Sequence, residues 1–285
     1  MRIAYFGYRG WGFSLLDKLL EDEHLRSQFV LLGTVVYKEE NIDYSRYRGL
    51  NLQFFDPKDK QALASLILNN NINLALFYGW SWIVPESLTD SIDCICLHPS
   101  LLPKYRGGTP FQHQIINNEQ EGGLTLFKMN KEIDAGDIIK QKEFPLDGRL
   151  KDVLNRVVLY GAEATRELID DYNKGVVVYK PQENLDEYPP YPRREPKESQ
   201  IPFEKLSELS SVYFYNFVRA LDDPFPNCYI ELPNGKVLFI KEVIIEPIVP
   251  DGAYLVNNGG SLTRELIYIK LKDGFARVVR YTISN

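Results

Sequence analysis

Residues 93–110 read DCICLHPSLLPKYRGGTP, a short apolar run that ends on a histidine and continues into a loop rich in Pro, Gly and basic residues. The apolar part, residues 92–97, predicts a buried β-strand. Ligands of open parallel sheets bind outside the carboxyl ends of the strands, so His98 stands where a functional group is expected. On position alone, a catalytic role and a purely structural role for His98 are equally well supported.

Apolar runs elsewhere predict further strands, at residues 2–6, 29–36, 74–78, 123–129 and 138–144. Apolar residues with helical spacing fall between and after these runs, at residues 13–20, 56–68, 110–117 and 151–173. Asp56 is the predicted N-cap of the second of these helices. Continuous apolar strands that alternate with helices are typical of a parallel sheet covered on both faces. The predicted fold is therefore α/β, with a Rossmann-like, mostly parallel sheet.

The composition changes near residue 180. Residues 180–203 hold six prolines and many charges, which predicts a linker or an extended arm. Beyond it, a helix is predicted over 206–220, and Pro233-Asn234-Gly235 indicates a β-hairpin. The predicted domains are a Rossmann-like catalytic domain over 1–179, a Pro-rich linker over 180–203 and a smaller β-rich domain, with an OB-like barrel as one option, over 204–285.

The composition also limits the partners. The net charge is −6 and no basic stripe is visible, so nucleic acid is not an expected partner. No apolar run reaches the roughly 20 residues of a membrane span, and the N-terminus enters a strand-like run directly, which predicts a cytoplasmic protein. Cys94, Cys96 and Cys228 are expected to be buried thiols, because a zinc site needs about four ligands; no metal is expected.

The glycine-containing turn after the first strand, GYRGWG at residues 7–12, could suggest a dinucleotide site. Its spacing is not G-x-G-x-x-G, and residues 35–38 (VVYK) place no acidic residue at the end of the second strand. NAD binding is therefore disfavoured. A turn that brings backbone N–H groups and Arg9 near a phosphate fits the pattern better.

Two aspartates, Asp134 and Asp137, flank an Ala-Gly turn in KEIDAGDII, residues 131–139. A carboxylate beside an imidazole can orient the ring for acid–base chemistry. The alternative is that both aspartates simply cap the turn. The remaining histidines, His24 and His113, lie in polar helical surroundings and are expected at the surface or in a supporting role.

HPSLLPKYRGGTP at 98–110, followed by EIDAGDII at 132–139, resembles the motifs of formyltransferases that use N10-formyltetrahydrofolate. Residues 193–196 and 220–226 are similar to second-domain signatures of nucleotide-sugar and methionyl-tRNA formyltransferases. The resemblance covers most of the chain. It implies a Rossmann-like catalytic domain followed by a smaller β-rich domain, and N10-formyltetrahydrofolate as co-substrate.

The resemblance also implies catalytic roles. The family pattern is Asn-x-His with a later Asp, and we assign its last two places to His98 and Asp137. His98 would donate to the developing oxyanion and shuttle a proton, while Asp137 would hold His98 or a water. Cys96 stands where the family has Asn, and a thiol is a weak donor. The chain is therefore expected to be slow or inactive, unless a backbone N–H or a water replaces the amide.

Binding residues follow from the same resemblance. Folate contacts are expected from two strand-end loops and the motif glycine, at Trp80, Ser81, Trp82, Gly108, Ile133, Asp134, Ala135 and Gly136. Trp80 and Trp82 could equally be packing aromatics. Three arginines are candidates for a diphosphate, namely Arg9, Arg193 and Arg194.

Among the possible acceptors we favour a dTDP- or UDP-linked amino sugar. The predicted protein is therefore a sugar N-formyltransferase, as in lipopolysaccharide O-antigen biosynthesis. The acidic chain and the aromatic run at residues 77–82 favour this acceptor over a tRNA. Methionyl-tRNA formyltransferase and a non-catalytic folate or nucleotide-sugar binding protein are the alternatives. A homodimer formed through the β-rich tail is expected by analogy.

Overall fold

The computed structural model describes residues 1–35, 42–223, 225–251, 253–258 and 266–284. The chain forms two compact units, each built from several segments. The first unit comprises Met1–Gly107, Glu121–Pro145 and Leu154–Tyr191. The second comprises Gly108–Gln120, Leu146–Val153 and Pro192–Asn285. The units therefore differ from the predicted domains, because residues 180–191 join the first unit while 108–120 and 146–153 join the second.

The first unit is built on a seven-stranded sheet with the order β3-β2-β1-β4-β5-β6-β7. Its strands are β1 (Ile3–Gly7), β2 (Phe29–Val35), β3 (Asn51–Phe55), β4 (Leu74–Tyr78), β5 (Asp93–His98), β6 (Glu121–Lys128) and β7 (Ile138–Pro145). β1 to β5 are parallel, and β6 runs antiparallel to both of its neighbours. This confirms the Rossmann-like, mostly parallel sheet, whose strand order reverses between β1 and β4.

The helices of the chain are α1 (Gly10–Leu20), α2 (Glu23–Arg26), α3 (Lys60–Asn69), α4 (Glu86–Thr89), α5 (Pro110–Ile116), α6 (Leu150–Lys174) and α7 (Ser211–Ala220). α3 packs on one face of the first sheet, where Leu63 joins Phe6 and Phe77 in a buried cluster. α6 covers the other face, where a Cβ on Gly161 would lie 2.6 Å from Leu15 and 2.9 Å from Leu97. In the part of the chain that is described, no helix has the length and apolarity of a membrane span.

Helix starts differ from the prediction where another residue provides a better cap. α3 begins at Lys60 because the Asp59 carboxylate, rather than Asp56, accepts the backbone N–H groups of residues 61 and 62. α7 begins at Ser211, since the Ser210 side chain caps it. β3 was not predicted. The second strand was predicted to end at residue 36, which lies outside the described residues. Residues 36–38 of the VVYK segment also lie outside them.

The second unit contains α5, α7 and a five-stranded sheet of order β10-β11-β12-β9-β8. Its strands are β8 (Cys228–Glu231), β9 (Val237–Glu246), β10 (Tyr254–Leu255), β11 (Ile267–Lys270) and β12 (Phe275–Ser284). The predicted hairpin is present, with β8 and β9 joined through Gly235 at φ +81°. Phe214 and Phe217 of α7 pack with Leu238 in the core. The sheet confirms the smaller β-rich domain.

Candidate active site

His98 is the last residue of β5 and is 5% exposed. Its Nδ1 lies 3.3 Å from Oδ2 of Asp134, and its Nε2 lies 2.9 Å from the carbonyl oxygen of Tyr105. Both partners are hydrogen-bond acceptors. A ring nitrogen that carries a proton donates to the acceptor it faces, so these two contacts fix the orientation of the imidazole ring.

The carboxylate beside His98 belongs to Asp134, whereas Asp137 was the predicted partner. Asp134 has a left-handed backbone, with φ +47°, and its Oδ2 also accepts the N–H of Gly107 at 2.8 Å. The left-handed turn directs Asp134 toward the histidine. Three residues later, Asp137 immediately precedes β7 and lines a cavity beside the same loop. The left-handed backbone of this turn therefore determines which carboxylate contacts His98. The residue types alone do not predict that backbone conformation.

The loop that carries Asp134 crosses from the amino end of β5 to its carboxyl end. It starts where the Met129 N–H donates to Cys94 O at 2.8 Å. Gly136 packs directly on β6, because a Cβ there would lie only 1.7 Å from the carbonyl oxygen of Lys128. Any side chain at this position would displace the loop.

Two residues outside the predicted site fix this loop. The Gln182 side-chain amide donates to the carbonyl oxygens of Asp134, at 3.0 Å, and Gly136, at 2.7 Å. Buried Arg106 donates from Nε to Ile133 O at 3.2 Å. Gln182 lies in the segment predicted to be a linker, and no sequence pattern marked it. Arg106 lies within the 98–110 motif, which the sequence marked as functional, but no role was assigned to Arg106 itself.

The loop after His98 is anchored by one buried hydroxyl. Oγ of Thr125 donates to Ser100 O at 2.7 Å and accepts the N–H of Leu102 at 3.0 Å. Gln141 adds a bond from Nε2 to Leu102 O at 2.9 Å. The Leu102-Pro103 peptide bond is cis. The histidine therefore sits between a strand and a loop that are both held in place.

Cys96 precedes His98 by two residues and shares its face of β5, because strand side chains alternate. Burial raises the pKa of the Cys96 thiol well above its ordinary range, and the nearby Asp134 carboxylate raises it further. Burial likewise raises the pKa of Cys94 to about 12. Cys94, Cys96 and Cys228 are all unpaired. Cys96 is thus a neutral thiol, which can donate only weakly.

An aromatic cluster follows the carboxyl ends of β1 and β4, where the strand order reverses. Trp80 contacts Phe55 and Phe77, with ring centroids 5.9 and 5.5 Å away, and its buried Nε1 has no partner among the described residues. Trp82 contacts Tyr8 at 4.6 Å. Trp80 is therefore partly buried and packs against the apolar core, while Trp82 lies toward the loop after β1.

Arg9 belongs to that same loop, and its guanidinium lies 4.7 Å from the ring centroid of Tyr8. The loop after β4 approaches it closely, because a Cβ on Gly79 (φ +66°) would lie 2.9 Å from the Cβ of Arg9. The structure therefore brings together the predicted residues Arg9, Trp80 and Trp82.

The predicted residues Gly108, Arg193 and Arg194 lie in the second unit. Gly108 packs on the backbone of Arg193, where a Cβ would lie 2.5 Å from the Arg193 nitrogen, and the Arg193 side chain is exposed. Arg194 lies over the Phe217 ring at 5.5 Å and donates to the Glu198 carbonyl. Arg194 therefore has structural contacts. His113, also in this unit, is half-buried, and its Nε2 lies 3.3 Å from Pro192 O.

A cavity of about 600 Å³ adjoins the Asp134 loop in the first unit. It is lined by loop residues 129–132, 136 and 137, by α4 and by Lys128 and Tyr179. The Lys128 ammonium is paired with Asp93 at 2.6 Å. Polar and charged side chains outnumber apolar ones in this lining. Within the described ranges, no cluster of His, Cys, Asp or Glu is arranged to bind a metal ion.

Residues 33–163 match the model of the formyl transferase domain family. A curated relative, methionyl-tRNA formyltransferase from Fusobacterium nucleatum, is 27% identical over 96% of this chain and 89% of its own length. The match to the family model includes β5, His98 and the Asp134 loop.

Solved structures share the fold at lower identity. A sugar N-formyltransferase from a Shewanella species superposes with a TM-score of 0.64 at 22% identity, covering 88% of this chain and 100% of that chain. HypX from Aquifex aeolicus, in complex with tetrahydrofolic acid, superposes with a TM-score of 0.67 at 18% identity over 99% of this chain and 44% of that chain.

Proposed function

Since the chain belongs to the formyltransferase family, we propose that it transfers a formyl group from N10-formyltetrahydrofolate to the amine of a nucleotide-linked amino sugar. The observation that carries this proposal is the contact between His98 and Asp134 inside the matched domain. A buried donor and a carboxylate acceptor at a strand end are the two groups that amide-forming acyl transfer requires.

In the proposed reaction, the amine nitrogen attacks the formyl carbon and forms a new C–N bond. The carbonyl electrons move to oxygen, and the Nε2–H of His98 donates to this oxyanion in place of its contact with the Tyr105 carbonyl. The attacking nitrogen then loses a proton to Asp134, directly or through a water. Collapse of the intermediate breaks the bond from the formyl carbon to N10, and N10 takes up the proton that Asp134 received. The products are a formamide and tetrahydrofolate.

Cys96 limits this chemistry. An amide at the same place would add a strong donor toward the oxyanion, and loss of one such donor typically costs on the order of 10²-fold in rate. The proposed enzyme is therefore slower than one with Asn at this position. Its remaining oxyanion donor is His98.

We place the pteridine ring of the donor against the Asp134 loop. Residues 129–132 and 136 of this loop line the cavity of about 600 Å³. Ile133 is 53% exposed and offers an apolar surface at the same loop. Trp80, Ser81 and Trp82 are proposed to flank the donor on the side of β4.

The acceptor is proposed to be a sugar because the chain is acidic, with a net charge of −6. A tRNA substrate would require neutralisation of many phosphates. Arg9, beside the Tyr8 ring, and exposed Arg193 are the candidates for the diphosphate. Arg194 is a weaker candidate, since its guanidinium is held by Phe217 and Glu198. A cytoplasmic location and a homodimer stay predictions.

The second candidate is methionyl-tRNA formylation, which the match over 89% of the Fusobacterium nucleatum protein favours. One experiment separates the two. The protein is incubated with N10-formyltetrahydrofolate and either a panel of dTDP- and UDP-amino sugars or aminoacylated initiator tRNA, and formyl addition is followed by mass spectrometry.

Formylation of a sugar nucleotide, but not of tRNA, would support the proposal, and tRNA formylation alone would contradict it. Donor binding without any product would indicate the non-catalytic alternative. His98→Asn serves as the inactive control, because it removes the imidazole but keeps a polar side chain of similar reach.

A further inference from the structure

The second unit contains a cavity of about 460 Å³ that is lined by α7 and β9. Most of its wall is apolar, formed by Tyr215, Val218, Val243, Ile244 and Ile245. Its charged lining consists of Arg149, Arg219, Asp222, Lys241 and Glu242. A largely apolar concavity of a few hundred Å³ with a small number of polar groups is the usual form of a small-molecule site.

Most of the charges in this cavity are neutralised by neighbours within the unit. The Asp222 carboxylate accepts from Arg149 at 2.6 Å and from Arg280 at 2.9 Å. Glu242 lies 3.3 Å from Arg149 as well. Lys241 is paired with Asp223 at 3.2 Å. These groups therefore form a closed network and leave little charge for a ligand.

Arg219 is different, because it is 9% exposed and its hydrogen-bond partners are all neutral. Its Nε donates to Asn216 Oδ1 at 2.8 Å, and its Nη1 donates to the carbonyl oxygens of Leu146 and Gly148. Its guanidinium lies 5.7 Å from the Tyr215 ring centroid, and among the described residues it makes no hydrogen bond to a carboxylate and none from Nη2. Burial lowers the pKa of this guanidinium, and the nearby Tyr215 and Asp147 side chains offset that shift only in part.

A buried charge is normally paired, since its desolvation is costly. We propose that the cavity binds a small organic anion with an apolar body. One carboxylate or phosphate oxygen of this ligand accepts from Nη2 of Arg219, and its apolar part packs between Tyr215 and Ile244. The site is independent of formyl transfer, because it uses none of the residues assigned to that reaction.

The test uses 2-naphthoate as the probe, with 2-naphthamide as its neutral counterpart and 2-naphthyl phosphate as the phosphate counterpart. Calorimetric titration of the full chain is expected to show one site that binds an anion at least about tenfold more tightly than the amide, the gain from one charge-assisted hydrogen bond. The tighter of the two anions identifies the preferred headgroup. Equal binding of the amide and both anions would overturn the proposal.

Two arginine variants test whether Arg219 is the residue that binds the anion. Arg219→Met should abolish the preference for the anion, while Arg277→Met, which removes an arginine of the same unit paired with Glu246, should preserve it. Retention of the preference in Arg219→Met would contradict the proposal. Circular dichroism verifies folding, because Arg219 also binds two backbone carbonyls.

A second pair of variants does not depend on Arg219. Ile244 is 42% exposed, so both a negative and a positive residue are tolerated there. Ile244→Glu should weaken naphthoate binding and Ile244→Lys should strengthen it. Sedimentation velocity tests the competing explanation. If the wild-type chain is a dimer that both variants dissociate, and neither changes naphthoate binding, the cavity is a contact face between copies and the proposal fails.

Discussion

The two loops that meet at His98 are held in different ways. The loop from His98 to Gly107 is fixed by the strand before it and by Thr125 of the adjoining β6. The Asp134 loop is fixed by Gln182, which lies 46 to 48 residues further along the chain, and by Arg106. One half of the proposed catalytic pair is thus positioned by the sheet. The other depends on a distant side chain, so the two should respond differently to mutation.

The largest expected effect is the loss of His98 itself. His98→Asn removes the proposed oxyanion donor, and formyl transfer should fall by about 10²- to 10⁴-fold, the usual contribution of acid–base and oxyanion groups. Initial rates with the best sugar from the panel measure this change. Cys94→Ser, on the same strand but packed in the core, is the matched control and should retain most of the activity in the folded fraction.

Cys96→Asn should change activity in the opposite direction. An amide donates to an oxyanion far better than a thiol, so turnover should rise by up to about 10²-fold with an unchanged fold. Turnover at saturating donor and a melting curve are the measurements. Unchanged or lower turnover, with donor binding intact, would show that Cys96 does not face the developing oxyanion.

Gln182→Ala tests the Asp134 loop alone. Loss of both bonds to the carbonyls of Asp134 and Gly136 should reduce kcat by about tenfold or more, because small misplacements of catalytic groups are costly. The ring signal of His98 in a ¹H–¹³C spectrum should move, while those of His24 and His113 should not. Exposed Gln120→Ala is the control. A change in KM alone would show that Gln182 contacts a substrate instead of positioning Asp134.

Thr125→Val tests the other loop and should have the smallest effect on chemistry. It leaves the buried Ser100 carbonyl and Leu102 N–H without their partner, at a cost of about 1–3 kcal/mol each. The free energy of unfolding from urea titration measures this loss. Thr165→Val, which removes a comparable buried bond to Tyr78, is the control. A stable Thr125→Val protein with unchanged urea dependence would contradict the anchoring role.

The same contrast explains what the sequence could predict. Strands β1, β2, β4 and β5 are continuous apolar runs, and their pattern alone indicated the parallel sheet and the location of His98. The choice between Asp134 and Asp137 depends on a left-handed backbone at φ +47° and on contacts from residue 182. Neither leaves a local pattern, because Asp is tolerated in many turns and a lone Gln is common on surfaces.

The domain boundaries could not be predicted from composition, because composition does not report tertiary contacts. Composition separated the Pro-rich segment at 180–203, but residues 180–191 join the first unit, where Lys180 and Ile138 exchange backbone hydrogen bonds of 2.8 Å. Proline content reports the lack of regular structure and not the lack of contacts. The helix starts after Asp59 and Ser210 were not predicted either, since several neighbouring polar residues can each cap a helix.

The most direct test of the proposed site compares Asp134→Asn with Asp137→Asn in the formyl-transfer assay. Both changes remove one negative charge from the same loop. If Asp134 is the partner of His98, Asp134→Asn should lower kcat by about 10²-fold or more, while Asp137→Asn should stay within a few-fold of the unmodified protein. A large loss in Asp137→Asn together with near-normal turnover in Asp134→Asn would contradict the pairing on which the mechanism rests.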